Sequence, residues 1–306
     1  ITKRLSSDVP LIPELAGHLI AAGGKRIRPM MTLAGARITL NSDSKKDTII
    51  GLATAVEFIH SATLLHDDVI DESNLRRGRD TANLVWGNEA SVLVGDFLFA
   101  RAFNLLVETR SLDILDKLAT ASTTIAEGEV RQLAAMNARD LPTEEYLAIV
   151  EAKTGALFEA AAESGAMSAG GDKFANAFAT YGKNLGLAFQ IVDDVLDYGG
   201  TTSVIGKVVG DDFREGKITL PVIIARRRGR AEDQAFWARA FDLSKQEEGD
   251  LARAIHLIRT TGAAEATIAE AEAYVGLAKS ALSRLPDTQW RHLLAELADF
   301  CIRRVS

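Results

Sequence analysis

Two short acidic segments are the residues whose types and spacing most clearly indicate chemistry. Each has the pattern Asp-Asp-x-x-Asp inside an apolar stretch. The six aspartates are Asp67, Asp68, Asp71, Asp193, Asp194 and Asp197. Residues four apart share one face of a helix, so the first and last aspartate of each segment project together. Aspartates this close repel one another and form helices poorly, so a divalent cation explains the pattern better than local stability does.

Carboxylate oxygens are hard ligands suited to Mg²⁺, which is usually shared between one or two carboxylates and a substrate phosphate. Two such segments facing each other across a helical bundle predict a cage for a diphosphate, in which metal stabilises a departing pyrophosphate. A solvated acidic face is the alternative. It is disfavoured by apolar neighbours that we expect to be buried, namely Leu64, Leu65, Val69 and Ile70.

Basic residues lie close to a glycine pair and a predicted helix start. The stretch from Gly23 to Pro29 holds three cations, Lys25, Arg26 and Arg28. Glycine allows backbone N–H groups to approach an anion, and a helix N-terminus favours negative charge. Arginine binds phosphate oxygens bidentately, whereas lysine acts as a point charge. The stretch therefore predicts an anion site, with a basic surface turn as the alternative.

Two further basic segments follow the acidic ones. Arg76 and Arg77 come after the first, where they either neutralise the acidic helix end or bind phosphate oxygens. The Gly-rich stretch from Gly199 to Gly216 follows the second and predicts a mobile functional loop. We expect Lys207 within it and Lys217 just after it to reach a pyrophosphate as the loop closes.

The elements that must position these residues are helices. The chain has 306 residues with only 6 prolines, and its apolar residues recur at spacings of three and four. Alternating strand patterns are nearly absent, so we expect an all-α protein forming a single domain over residues 1–306. The predicted helices are 27–40, 47–72, 88–107, 111–137, 143–168, 172–198, 218–227, 246–260, 263–283 and 287–304.

Composition narrows the classes of partner and compartment. A net charge of −7 argues against nucleic acid as a partner. The one cysteine, Cys301, excludes a disulfide within the chain and fits a reducing compartment. No signal peptide is visible. Charged residues interrupt the most apolar stretches, so we expect no transmembrane segment and a cytoplasmic protein.

Together these motifs resemble those of the trans-isoprenyl diphosphate synthases, also called polyprenyl synthetases. The matching patterns are Gly-Gly-Lys-x-x-Arg-Pro, Asp-Asp-x-x-Asp followed by Arg-Arg-Gly, Lys-Thr, Gln-x-x-Asp-Asp-x-x-Asp, and Gly-Lys-x-x-Gly-Asp-Asp with Glu-Gly-Lys. The resemblance runs from about residue 20 to the end of the chain. It implies a helical bundle of the isoprenoid synthase type, with a central active-site cavity.

The resemblance also implies roles for individual residues. The six aspartates resemble ligands for Mg²⁺, commonly three ions, for which Mn²⁺ can substitute. The residues that resemble contacts to an allylic diphosphate are Arg76, Lys153, Lys207 and Lys217. Those that resemble a pocket for isopentenyl diphosphate are Lys25, Arg28, His60 and Arg77. The polar groups expected near the reacting carbons are Thr154 and Gln190, and with Lys153 and Lys207 they form the expected catalytic set.

The reaction implied is sequential chain elongation. The allylic substrate ionises by losing pyrophosphate, and the double bond of isopentenyl diphosphate attacks the resulting cation. Loss of a proton then gives a longer allylic diphosphate, so the cycle can repeat. The resemblance further implies a homodimer, for which the apolar helix at 88–107 is the candidate interface, and peripheral membrane contact during product release.

The length of the product has a sequence determinant in this family. The growing chain passes the residues four and five positions before the first motif, here Thr63 and Ala62. Short-chain members place aromatic side chains there, and this chain has none. We therefore expect a product of about C40 to C50, such as the precursor of a ubiquinone side chain. The phrase from Glu57 to Asp67 also resembles octaprenyl and decaprenyl synthases.

Three other activities fit parts of the pattern. A shorter-chain farnesyl or geranylgeranyl diphosphate synthase is the nearest alternative, if a deeper side chain ends the tunnel. A class I terpene cyclase also ionises a diphosphate, but it does not need a second diphosphate pocket. A non-catalytic subunit of a prenyl synthase typically lacks acidic motifs, and both are intact here.

Overall fold

The protein is described here by a computed structural model covering residues 1–40, 45–136, 140–199 and 209–304. Helices dominate these residues. In the first half of the chain they are α1 (Leu11–Ala21), α2 (Ile27–Thr39), α3 (Lys46–Ile70), α4 (Ala82–Trp86), α5 (Asn88–Glu108), α6 (Leu112–Ala135) and α7 (Thr143–Val150). A π-helical turn, Glu151–Gly155, leads into α8 (Ala156–Ser168). Then follow α9 (Ala175–Gly199), α10 (Asp211–Arg214), α11 (Leu220–Arg228), α12 (Ala231–Ala240), α13 (Asp250–Thr260), α14 (Ala263–Leu282) and α15 (Gln289–Ile302).

Short elements complete the description. The 3₁₀ helices are Thr2–Arg4, Asp172–Phe174 and Leu243–Lys245. Two strands, β1 (Leu75–Arg76) and β2 (Arg79–Asp80), form an antiparallel hairpin directly after the first acidic motif. The all-α prediction is confirmed, and most helix bounds agree with the periodicity within a few residues. The predicted helix 143–168 is interrupted by the π-helical turn. The prediction gave no range for α1, α4, α10, α12 or the hairpin.

The contacts divide the chain into two compact units. Unit 1 comprises Ile1–Ser122, Ala160–Ala179 and Leu285–Arg291. Unit 2 comprises Thr123–Glu159, Thr180–Arg284 and His292–Ser306. The first acidic motif belongs to unit 1 and the second to unit 2. The single-domain organisation stays a prediction.

In unit 1 the core is built around α3, which packs closely on α5. Ser91 on α5 donates a hydrogen bond to the Leu65 carbonyl at 3.0 Å. Gly95, one turn further on, lies so close to α3 that a Cβ there would overlap the His66 ring. Phe58 on α3 is fully buried. This packing fixes the rotation of α3 and therefore the direction in which its last turn presents the acidic motif.

In unit 2 one hydrophobic cluster surrounds α9, the helix that carries the second acidic motif. Ile191 and Val192 are fully buried beside the aspartates, and the same cluster includes Tyr146 and Trp237. Cys301 is buried on α15. Because the apolar residues of α9 fill this cluster, its acidic positions are held in a fixed register.

Within the described residues, two helices are long and apolar enough to cross a membrane when judged by length and composition alone. They are α3 and α5. In α3, 72% of the most apolar window is buried inside the protein, as in the core helix of a globular domain. In α5 the corresponding share is 39%. Such a pair is weak evidence for a membrane span, since core helices pass the same test.

Candidate active site

The first acidic motif lies on the last turn of α3 and at its C-cap. The Asp71 N–H still donates to the Asp67 carbonyl at 2.8 Å, so the helical spacing of four holds between these aspartates. Both are partly exposed. Asp68 instead is fully buried, and its Oδ1 accepts a hydrogen bond from Arg76 Nε at 2.6 Å. The turn therefore presents two aspartates outward and holds the third against an arginine.

The apolar neighbours of this motif are only in part where the sequence indicated. Leu65 is fully buried, and Leu64 and Val69 are partly buried. The expectation for Ile70 was wrong, because its side chain is 48% exposed. Ile70 is the final residue of α3, where the helix gives way to the turn before the hairpin, so the packing that buries the middle of α3 does not extend to it.

A cluster of arginines surrounds His60 on α3. Burial lowers the pKa of His60 well below its ordinary value of 6.5, and the nearby positive charges of Arg28, Arg77, Arg76 and Arg26 lower it further, in that order. The imidazole is therefore neutral at physiological pH. Burial also lowers the pKa of Arg77 from its ordinary value, with contributions from Arg26 and Arg76. Mutual repulsion of this kind favours binding of an anion.

Arg26 differs from the other cations of its motif. The backbone of Arg26 lies in the left-handed region, with φ 50°, and Arg26 directly precedes the first residue of α2. Its guanidinium forms an ion pair with the buried Glu57 and donates to the Ile20 carbonyl at 2.7 Å. Arg26 thus anchors the start of α2 to α3. Lys25 beside it is exposed and Arg28 is partly buried.

Arg77 is held against the glycine pair. Arg77 lies at the turn of the hairpin, and its backbone has φ 56°. The Arg77 guanidinium donates a hydrogen bond to the Gly23 carbonyl. The structure therefore brings together, within unit 1, the predicted pocket residues Arg28, His60 and Arg77. It also adds Glu57, which the motif analysis did not assign to the site and which pairs with Arg26.

The second acidic motif lies on α9, and each of its aspartates has a different environment. Asp193 is partly exposed and accepts a hydrogen bond from Arg304 near the C-terminus. Asp194 is buried and accepts from Tyr146 Oη at 2.5 Å and from Gln190 Nε2 at 2.9 Å. Burial raises the pKa of Asp194 well above its ordinary value, and the neighbouring Asp212 raises it further.

Asp197 ties the motif to the chain beyond the loop. It is buried, and its two carboxylate oxygens accept the backbone N–H groups of Asp211 at 3.2 Å and Asp212 at 3.1 Å. Gly210 N–H also donates to the Asp197 carbonyl at 2.8 Å. These bonds hold the first turn of α10 beside the acidic motif, so Asp197 positions the segment that follows the loop.

The Lys-Thr pair lies on the π-helical turn between α7 and α8. Such turns often occur at functional sites because they redirect side chains within a continuous helix. Lys153 Nζ contacts Glu129 Oε2 at 2.7 Å and donates to Gln132 Oε1 at 2.8 Å. Thr154 Oγ1 donates to Gln190 Oε1 at 3.0 Å. The turn thereby directs Thr154 toward the helix of the second acidic motif.

The loop residues are placed only in part. Lys207 lies outside the described residues. Lys217 is largely buried, and its Nζ forms an ion pair with Glu215 Oε2 at 2.7 Å. The backbone N–H of Lys217 donates to the Asp212 carbonyl at 2.8 Å. Lys217 is thus fixed next to a residue whose charge acts on Asp194.

Comparison with known proteins shows the family of the chain. The Polyprenyl synthetase family matches residues 9–258. The chain belongs to the polyprenyl synthetase family. It is 43% identical to the octaprenyl diphosphate synthase of Haemophilus influenzae, over 99% of this chain and 92% of that relative. It is accordingly a prenyltransferase, and prenyltransferases of this family are generally Mg²⁺-dependent.

Solved structures are similar over the whole chain. A polyprenyl synthase from Caulobacter crescentus CB15, complexed with calcium and isoprenyl diphosphate, is 54% identical with a TM-score of 0.95. The match covers 100% of this chain and 92% of that one. A decaprenyl diphosphate synthase from Rhodobacter capsulatus is 48% identical with a TM-score of 0.93, covering 100% of this chain and 94% of that one.

The residues of this polyprenyl synthetase family member fit Mg²⁺ by the chemistry of their donor atoms. Among the described residues, no three or more His, Cys, Asp or Glu side chains lie close enough to hold an ion by themselves. Mg²⁺ is commonly bound by one or two carboxylates together with substrate phosphates and water, so a sparse protein shell suits it. The partly exposed aspartates are the best placed to bind directly: Asp67, Asp71 and Asp193.

The predicted tunnel residues lie one turn before the first motif on α3. Ala62 is fully buried, and Thr63 is partly buried with its hydroxyl donating to the His60 carbonyl at 2.8 Å. Neither has an aromatic ring. The hydroxyl of Thr63 is directed to its own helix, so the side chain at this level is small and locally satisfied.

Proposed function

We propose that this chain is a long-chain trans-polyprenyl diphosphate synthase. It condenses isopentenyl diphosphate repeatedly onto an allylic diphosphate and makes a product of about C40 to C50. The observation that carries the proposal is the coexistence of two intact acidic motifs with a separate arginine cluster around neutral His60. A synthase needs to bind two diphosphates, whereas a terpene cyclase binds one.

The roles proposed for the side chains follow from their charges. Lys25, Arg28, Arg77 and neutral His60 bind isopentenyl diphosphate. The residues that bind the allylic diphosphate are Arg76, Lys153, Lys207 and Lys217. When bound at the aspartates, Mg²⁺ stabilises the charge on the departing pyrophosphate. The proposal includes three bound Mg²⁺ ions and the substitution of Mn²⁺ for Mg²⁺.

The two substrates supply all the bonds that break and form in the condensation. The allylic C–O bond breaks and pyrophosphate leaves with the electron pair. The double bond of isopentenyl diphosphate forms the new C–C bond. The departed pyrophosphate accepts the proton whose loss regenerates an allylic double bond. Thr154 and Gln190 contribute oriented polar groups near the developing positive charge, and fixed dipoles of this kind lower the barrier without reorganisation.

Long-chain product formation is supported by the small side chains Ala62 and Thr63. It is also supported by similarity to relatives named for octaprenyl and decaprenyl products. A ubiquinone side chain is the proposed use of the product. The alternative is a farnesyl or geranylgeranyl synthase, in which a side chain deeper in the bundle ends the tunnel.

Assembly and location complete the proposal. We expect a cytoplasmic homodimer that contacts a membrane peripherally when it releases product. Exposed apolar side chains on α5, which include Leu93 at 67% and Val107 at 63%, support this helix as the dimer interface.

The test is an assay with labelled isopentenyl diphosphate and an allylic primer. Label should enter a longer allylic diphosphate in the presence of Mg²⁺ and not in excess chelator. Asp67→Ala and Asp193→Ala should each lower turnover by orders of magnitude while the circular dichroism spectrum stays helical. Full activity in chelator would rule the mechanism out, and a cyclic hydrocarbon product would favour a terpene cyclase.

A further inference from the structure

Tyr146 is a buried tyrosine whose hydroxyl is directed at the second acidic motif. It is 3% exposed, and its ring lies on α7 in the hydrophobic cluster of unit 2, together with Val150, Leu187 and Ile191. Its Oη donates to Asp194 Oδ2 at 2.5 Å, and Asp194 is likewise 3% exposed. Because the ring is packed in this cluster, the position of the Tyr146 hydroxyl is fixed and its hydrogen bond to Asp194 has little freedom to shift.

The other oxygen of the same carboxylate is also held. Gln190 Nε2 donates to Asp194 Oδ1 at 2.9 Å, one helical turn earlier on α9. Thr154 Oγ1 donates in turn to Gln190 Oε1 at 3.0 Å. The result is a continuous chain of hydrogen bonds from Thr154 through Gln190 and Asp194 to Tyr146. Each carboxylate oxygen receives a donor from a different direction, which fixes the plane of the group.

The chain also determines which way the Gln190 amide faces. Its oxygen accepts from Thr154 and its nitrogen donates to Asp194. Reversing the amide would place its oxygen against the Asp194 carboxylate, so two acceptors would meet at that end. Tyr146 holds the Asp194 end of this arrangement. Without its hydroxyl, Gln190 would be the one side-chain donor left to this carboxylate in the part of the chain that the structure describes, and the group could rotate about its Cβ–Cγ bond.

We propose that Tyr146 is a positioning residue for the second acidic motif. Its hydroxyl fixes the Asp194 carboxylate and, through it, the amide of Gln190. Tyr146 does not contact substrate and acts only through these two side chains. This inference rests on the proposed function, because it assigns the second motif to the binding of Mg²⁺ and diphosphate.

Tyr146→Phe tests the proposal because it removes only the hydroxyl and keeps the ring in the cluster. Loss of the hydroxyl leaves a buried acceptor oxygen of Asp194 without its donor, which costs about tenfold or more, so kcat should fall about 10-fold to 100-fold. The Mg²⁺ concentration for half-maximal activity should rise several-fold. The KM for isopentenyl diphosphate should stay within about twofold, since the proposed pocket for that substrate belongs to unit 1.

A second readout does not depend on turnover. MgCl₂ with inorganic pyrophosphate should raise the thermal midpoint of the parent protein, because a ligand that binds only the folded state stabilises it. The increase should be less than half as large in Tyr146→Phe, while the midpoint without ligand changes by only a few degrees. An unchanged ligand-induced shift would overturn the proposal.

Tyr181→Phe is the matched control. Tyr181 is also fully buried in unit 2 on α9, and its hydroxyl donates to the Leu294 carbonyl at 2.8 Å, away from the acidic motif. Its loss should affect stability alone. If Tyr181→Phe lowered kcat and the ligand-induced shift as much as Tyr146→Phe, the effect would be structural and the proposal would be wrong.

A double mutant completes the test. In an Asp194→Asn background, Tyr146→Phe should cause little further loss of the ligand-induced shift, because the residue acts through that carboxylate. Independent, additive losses would contradict the proposal. An inactive parent protein would instead refute the proposed function. An active parent with an unaffected Tyr146→Phe would refute only the role of Tyr146.

Discussion

The guanidinium of Arg77 occupies the space in which residue 24 would carry a Cβ. Arg77 Nη1 lies 2.6 Å from that position, and Gly24 has φ +124°, a conformation that residues with side chains rarely adopt. Gly24 therefore determines how closely the arginine can approach the glycine turn. The hairpin brings Arg77 to this turn from more than 50 residues away. The position of Arg77 in the pocket therefore depends on residue 24 being a glycine.

Gly24→Ala should displace Arg77 and raise the KM for isopentenyl diphosphate by about tenfold, the effect expected from losing one charge-assisted contact. Gly23→Ala is the control. Gly23 also has a positive φ, +93°, but nothing lies within 4 Å of its Cβ position. Steady-state kinetics of both variants would check this. Equal changes in KM would show that backbone strain, and not the position of Arg77, is responsible.

The two diphosphate pockets should respond separately to loss of charge. Lys25→Ala and Arg28→Ala should raise the KM for isopentenyl diphosphate more than that for the allylic primer. Lys207→Ala should show the opposite bias. Each lost contact should cost on the order of 1.5–3 kcal/mol. Measuring both KM values for all three variants checks the division, and equal effects on both substrates would show that it is wrong.

The lowered pKa of His60 predicts a pH dependence of stability. Its ordinary value is 6.5, so below about pH 6.5 the unfolded chain binds a proton at this residue and the folded chain does not. The folded state is therefore progressively destabilised as the pH falls from 6.5 toward the lowered pKa of His60. This destabilisation is absent well above pH 6.5. Above it, His60 is neutral in both states.

His60→Gln removes the titrating group. The free energy of unfolding should fall less between about pH 7.5 and about pH 5.5 in this variant than in the parent. Urea unfolding at a series of pH values measures the difference. Parallel curves for the two proteins would contradict burial of a neutral imidazole among the arginines.

Ala62→Tyr should shorten the product. An aromatic ring at residue 62, just over one turn before the first motif and roughly 7.5 Å along α3 from Asp67, would form a floor beneath the growing chain. The product should then end near C15 to C20, with the first condensations still fast. Chromatography of the products measures this, and Ala62→Ser, which keeps the side chain small, should leave the length unchanged. An unaltered product from Ala62→Tyr would show that chain length is determined elsewhere.

The helices and the residue types of the site could be predicted because both depend on local patterns. Apolar spacing indicated α3 and α9, and the acidic spacing indicated which of their turns carry chemistry. The short α4 and the hairpin were not predicted because neither is long enough to show a periodicity. The exposure of Ile70 was missed because a run of apolar residues does not reveal where its helix ends.

The partners of the site residues could not be predicted, since they come from distant parts of the chain. Arg304 reaches Asp193 across 111 residues, and Tyr146 reaches Asp194 across 48. A tyrosine among apolar residues looks like any core side chain until its hydroxyl is placed. Likewise, Glu57 interrupts an apolar helix in the sequence, and only the structure shows that it neutralises Arg26.

The length of the isoprenoid product tests the central claim most directly. The purified protein would be incubated with labelled isopentenyl diphosphate, an allylic primer and Mg²⁺, and the dephosphorylated products would be separated by chain length. Our account predicts that label accumulates in all-trans products of about C40 to C50. Accumulation at C15 to C20, or no incorporation of label at all, would contradict it.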